Sequence, residues 1–151
     1  MIDPRGPRFT AWITTVVLAV VLLTGSAWLL ALQTVAFAIG AIFGIQRAPY
    51  GVVFRRFVRP RLAPPAELEA AAPPRFAQGV GLVFGLVGTI ALFAGVEVVG
   101  LIAVGLALAA AFLNAAFGFC LGCEIYLLGR RVLRRSGAAD VSHVATKEAT
   151  A

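Results

Sequence analysis

From Phe9 to Phe43 no residue carries a charge, and from Phe76 to Cys123 only Glu97 does. A soluble domain cannot bury two such runs, because a globule of 151 residues leaves a large share of its chain at the surface. Hydrophobic residues make up 60% of the chain and charged ones 13%, with a mean hydropathy of +0.93. The solvent for most of this surface is lipid. There the backbone must satisfy its own hydrogen bonds, and long uncharged runs do so as helices. The chain therefore reads as an all-α, polytopic membrane protein.

The first run is too long for one crossing. Its 35 residues would reach about 52 Å as a helix, against roughly 30 Å of hydrocarbon. Gly25-Ser26 divides it into spans over 9–24 and 27–43. Gly95-Val96-Glu97 divides the second run into spans over 76–94 and 98–117. Trp12 and Trp28 fall near helix ends, where amphipathic rings favour the interface. Asp3 and the apolar run that follows at once argue against a cleaved signal peptide at Thr24-Gly25-Ser26-Ala27.

The net charge of +6 does not point to nucleic acid, because the arginines flank apolar runs instead of covering a polar face. Threading four spans puts every arginine on one side, and the other side receives only the two tight turns and Glu97. The positive-inside rule then places both termini and the 44–75 connection in the cytoplasm, in what reads as a bacterial inner membrane. Residues 50–59 read as a helix lying in the interface, with Val52, Val53, Phe54, Phe57 and Val58 in lipid and Arg55, Arg56 and Arg59 at headgroups. Pro60 to Pro74 reads as an extended linker. The membrane domain spans 1–135, and 136–151, with the lone His143, reads as a disordered cytoplasmic tail.

The two halves resemble each other. Pro7-Arg8-Phe9 matches Pro74-Arg75-Phe76, Phe43-Gly44 matches Phe117-Gly118, and Tyr50 matches Tyr126. Arg55, Arg56 and Arg59 match Arg130, Arg131 and Arg134 as R-R-x-x-R, a pattern suited to anionic lipid or a partner. The expected architecture is two repeated hairpins, each followed by a basic interfacial helix (repeat one 7–61, repeat two 74–135). Gly40 and Gly44, Gly81 and Gly85, and Ala103, Ala107, Ala111 and Ala115 provide four-residue spacings of small side chains for close helix packing. Gln33 and Asn114, two amides within the spans, are expected to hydrogen-bond between helices.

The only cysteines, Cys120 and Cys123, form a C-x-x-C pair where the last span gives way to arginine-rich chain. Three readings are open. They are small apolar packing residues, half of a zinc site shared between two copies of the chain, or a working dithiol. Glu124 stands where haem attachment needs histidine. In the dithiol reading a helix beginning at Cys120 favours its thiolate, so Cys120 attacks and Cys123 resolves. Glu124 then carries the proton or pairs with Arg130 or Arg131. Leu121-Gly122 supplies flexibility, and a cytoplasmic pair rests reduced. No cofactor and no metal are expected.

Phe117 to Tyr126, with its C-x-G-C-E core, the four spans and the Pro-Pro-Arg-Phe-Ala-Gln opening of 73–78, resembles an uncharacterised bacterial family of small four-helix integral membrane proteins, catalogued as a domain of unknown function. The resemblance implies a membrane protein whose cysteine motif matters. The plan is also similar to the membrane segment that accompanies some rhodanese domains, although Leu121 stands where that segment carries proline. These likenesses imply a thioredoxin-like or rhodanese-like partner. The expected function is thiol-disulfide exchange or sulfur relay. Its alternatives are a non-enzymatic anchor or assembly subunit, and a transporter of a small sulfur species, which would need oligomers to form a pore.

Overall fold

The computed structural model describes residues 1–65 and 67–133. Its order is α1 (Arg5–Thr24), α2 (Ala27–Phe43), α3 (Pro49–Val53), a π turn (Phe54–Val58) and a 3-10 turn (Arg59–Arg61), α4 (Ala72–Phe93) and α5 (Glu97–Phe117). A last helix, α6, occupies 121–133. The described chain is helical apart from its connections and one isolated β-bridge. The expected tail at 136–151 lies outside the described residues.

Helices α1, α4 and α5 have 20, 22 and 21 residues and are long and apolar enough to cross a membrane. Helix α2 is equally apolar but has 17 residues, or about 26 Å. Side chains such as Leu32, Ile90 and Val98, each at least 65% exposed, stand on the outside of the bundle, as a lipid solvent permits. Pro73 and Pro74 open α4 instead of ending a linker. In a helix's first turn the missing N–H has no partner to lose, so proline is tolerated there.

In the first hairpin the chain neighbours are not each other's main packing partners. Helix α2 lies along α4, α1 lies along α5, and α4 contacts α5, whereas α1 and α2 touch only lightly. Leu18 and Val21 of α1, Leu30 of α2, and Val104 and Ala107 of α5 meet in the central core. The α2–α4 seam is close because α4 offers hydrogen where α2 offers bulk. A Cβ at Gly81 would lie 2.8 Å from Phe37, one at Gly85 2.6 Å from Thr34, and one at Gly88 2.9 Å from Leu30. Thr34 and Thr89 add a hydroxyl bond of 3.2 Å across the same seam. At its far end Trp28 meets Phe93 edge to face, with centroids 5.1 Å apart.

The 50–59 segment is helical, but Phe54 does not point to lipid. It is 5% exposed and stacks against Phe9, with ring centroids 5.6 Å apart. A π turn widens the helix here and carries Phe54 under α1, while Val52, Val53 and Phe57 remain exposed. Tyr50 donates a 2.6 Å hydrogen bond to Oε1 of buried Gln33, and burial raises the phenol's pKa and keeps it a donor. Asn114, expected to bond between helices, makes no side-chain hydrogen bond among the described residues.

The proline-rich connection is strapped down. Ile2 and Glu69 exchange both backbone hydrogen bonds, at 2.8 and 2.9 Å, and Arg5 Nη2 donates to the Ala63 carbonyl at 2.9 Å. Asp3 and Arg5 form an ion pair of 2.9 Å beneath this strap.

Candidate functional site

Helix α5 ends where Gly118 takes φ +69, a left-handed conformation that leaves other residues strained. The chain turns through Phe119, and α6 begins directly after Cys120. Cys120 therefore stands at a helix N-terminus, and its Sγ accepts the Cys123 backbone N–H at 3.3 Å. The Cys120 carbonyl receives the Glu124 N–H at 3.0 Å, the first bond of the new helix. Free N–H groups and the helix dipole both favour negative charge at this sulfur. Cys120 and Cys123 are joined as a disulfide, with Cα atoms 5.2 Å apart. The two sulfurs are thus within bonding reach of each other, as a working dithiol requires.

What fixes α6 is the residue between the cysteines. Gly122 is buried, and a Cβ there would lie 2.7 Å from both the Cα and the Cβ of Ala77 on α4. The expectation that Leu121-Gly122 serves flexibility is corrected: the glycine is a contact point against a backbone that cannot yield. Phe76 and Tyr126 continue the seam with centroids 5.7 Å apart.

Glu124 is exposed beside the disulfide and makes no ion pair with Arg130 or Arg131 among the described residues. The Arg130 guanidinium lies 6.0 Å from the Tyr126 ring instead. Arg55, Arg56, Arg59, Arg130 and Arg131 are all exposed, and Arg134 lies outside the described residues.

Both cysteines line a cavity of about 870 Å³ between α1, α4, α5 and α6. From the rim at Gly118 it descends past Asn114 and Ala110 to Leu106 on α5, about 18 Å along the helix. Its walls are mostly apolar, with Phe37 and Phe84 deep inside. Thr10 also lines it, is 2% exposed and leaves its hydroxyl without a partner.

Sequence reasoning passed over two arginines that assemble this rim. Arg8 Nε and Nη2 donate to the carbonyls of Ala115 and Ala116, each at 3.1 Å, and cap α5 just before the cysteine turn. Arg75 Nε and Nη2 do the same for Ala41 and Ile42 at the end of α2, at 2.7 and 2.6 Å. The signal was available: neither α2 nor α5 has a basic residue in its last turn, so their terminal carbonyls need donors from elsewhere.

No curated protein and no solved structure matches the chain. A match to one family does cover the strap, the bundle and the cysteine turn together. Over residues 2–131 the chain belongs to the family described as a domain of unknown function, DUF4395.

Proposed function

We propose that this chain is a four-span protein of a bacterial inner membrane whose Cys120–Cys123 pair exchanges disulfides, or relays sulfur, with a cytosolic thioredoxin-like or rhodanese-like protein. One observation carries the reading. The pair sits at a helix N-terminus beside an open cavity, with the Cys123 N–H on Cys120 Sγ, and not sealed in the core. Cys120 is the attacking thiolate, Cys123 the resolving thiol and Glu124 the exposed carboxylate able to carry the proton. The arginine distribution supports a cytoplasmic rim, within reach of cytosolic dithiols. The reciprocal caps support a duplicated hairpin, because the matching arginine of each half bonds the matching helix end of the other.

The test is capture. A Cys123→Ser variant in native membranes should accumulate a mixed disulfide between Cys120 and its protein partner, and a Cys120→Ser variant should not. Equal capture by both variants, or by neither, ends the proposal. A second reading, a lipid or protein anchor, draws on exposed Arg55, Arg56, Arg130 and Arg131 beside exposed Phe57 and Leu128. It wins if neutralising these arginines abolishes function while both serine variants retain it.

A further inference from the structure

The cavity under the disulfide is built unlike a docking patch for a protein thiol. It is deep and its lower walls are apolar, while the charged residues that border it, Arg5, Arg8, Glu69 and Glu124, belong to its outer rim. Arg5 and Arg8 are already engaged, on Asp3 and on the α5 carbonyls. A small ionic thiol or sulfur oxyanion would find no free cation below the rim among the described residues. An uncharged ligand would find hydrogen-bond donors. The Thr10 hydroxyl is buried and unpartnered, and the half-buried Asn114 side-chain amide, on the same walls, makes no hydrogen bond among the described residues. A buried, unpartnered donor such as the Thr10 hydroxyl calls for an acceptor oxygen, and the Asn114 amide can supply a second donor beside it. A volume of about 870 Å³ is in the range of a cofactor-sized molecule.

We infer that the cavity binds a lipid quinone, with its carbonyl oxygens on Thr10 and Asn114 and its isoprenoid tail along the apolar walls, and that the quinone oxidises the cysteine pair. The inference rests on the dithiol reading above and supplies its electron acceptor. The Cys120 thiolate adds to a ring carbon of the quinone, forming a C–S bond, and the ring oxygen takes up a proton. The Cys123 thiolate then attacks Cys120 Sγ. The S–S bond forms, the C–S bond breaks and its electron pair stays on the ring, where a second proton completes the quinol. Two thiols have lost two electrons and two protons, and one quinone has gained them. The Cys120–Cys123 disulfide produced is then ready to accept electrons from a cytosolic dithiol.

The experiment uses the full chain reduced in lipid nanodiscs and mixed with decylubiquinone or a short-tailed menaquinone. Free thiol and quinol are followed together. Expected are one quinol per dithiol lost, a rate that saturates with quinone, and no quinol from Cys120→Ser. Thr10→Val and Asn114→Leu should each raise the half-saturating quinone concentration about tenfold, the factor for one hydrogen bond of typical strength. Asn114→Gln, which keeps the donor, should recover most of that loss, and Ala110→Trp, which fills the cavity, should stop the reaction. Helicity and monodisperse elution check that each variant folds. A rate that rises linearly with quinone and is the same in Ala110→Trp overturns the site. A wild-type disulfide that dithiothreitol reduces but no quinone restores overturns the quinone inference and leaves the dithiol reading standing. A pair that dithiothreitol cannot reduce sinks both.

Discussion

A hydrogen atom in place of a methyl group decides where the dithiol sits. Gly122→Ala puts a Cβ at 2.7 Å from two atoms of Ala77, one of them backbone, so either α6 or the start of α4 must move. The expected cost is about 1–3 kcal/mol, measured as loss of thermal stability in detergent, with altered thiol exchange because Cys120 and Cys123 flank the displaced residue. Unchanged stability would mean that α6 is not docked there. At the other edge of the site, the Arg5 hydrogen bond holds the Asp3 carboxyl below its ordinary 3.8, although burial opposes the shift. A lowered native pKa means that Asp3 stabilises the fold at neutral pH and stops doing so as the pH falls through that value. Hydrogen-exchange protection of the Ile2 and Glu69 amides should therefore drop on acidification below about pH 4, near the ordinary carboxylate range. Asp3→Asn should show the weakened strap at every pH.

The elements are held by exchange between the two halves. Helix α1 packs on α5 and α2 on α4, and the caps follow the same pairing, Arg8 on α5 and Arg75 on α2. A guanidinium bonding two terminal carbonyls also opposes the negative end of the helix dipole. Both side chains are exposed at the rim, so each cap contributes about 1 kcal/mol and not the larger value of a buried charge pair. Arg8→Gln and Arg75→Gln should each lower stability by that amount, and the pair of changes should add, because the two caps share no partner. Arg8→Gln should also quicken exchange at the Gly118 and Phe119 amides, whose acceptors lie in the last turn of α5. Loss confined to Arg75→Gln would show that the Arg8 cap contributes nothing.

For the whole molecule the governing expectation is one-sidedness. With the dithiol at the arginine-rich rim, a membrane-impermeant maleimide should label reduced Cys120 and Cys123 in inverted vesicles. Intact cells stripped of their outer barrier should stay unlabelled until the membrane is opened. Labelling from the outer face would reverse the topology and with it the cytosolic partner.

Helix type and rough extent were legible in the chain, because the absence of charge over spanning-length runs and the interruptions at Gly25-Ser26 and Gly95-Val96-Glu97 act locally. The α2 boundaries at Ala27 and Phe43 and the α5 end at Phe117 follow from those signals alone. So did the position of the cysteine pair just beyond the last long helix, since Gly118 terminates α5 by backbone chemistry that any neighbour shares. Partner choice was not legible. In lipid every long helix is apolar all round, so hydrophobicity does not say that α1 should leave α2 for α5; the glycine stripe on α4 and the arginine reach across the rim decide it. The same limit turned Phe54 inward, gave Gly122 a packing role and left Asn114 facing a cavity, because each depends on which backbone arrives opposite. Composition and backbone chemistry determined the helices, and only the three-dimensional meeting of distant segments decided what the two sulfurs face.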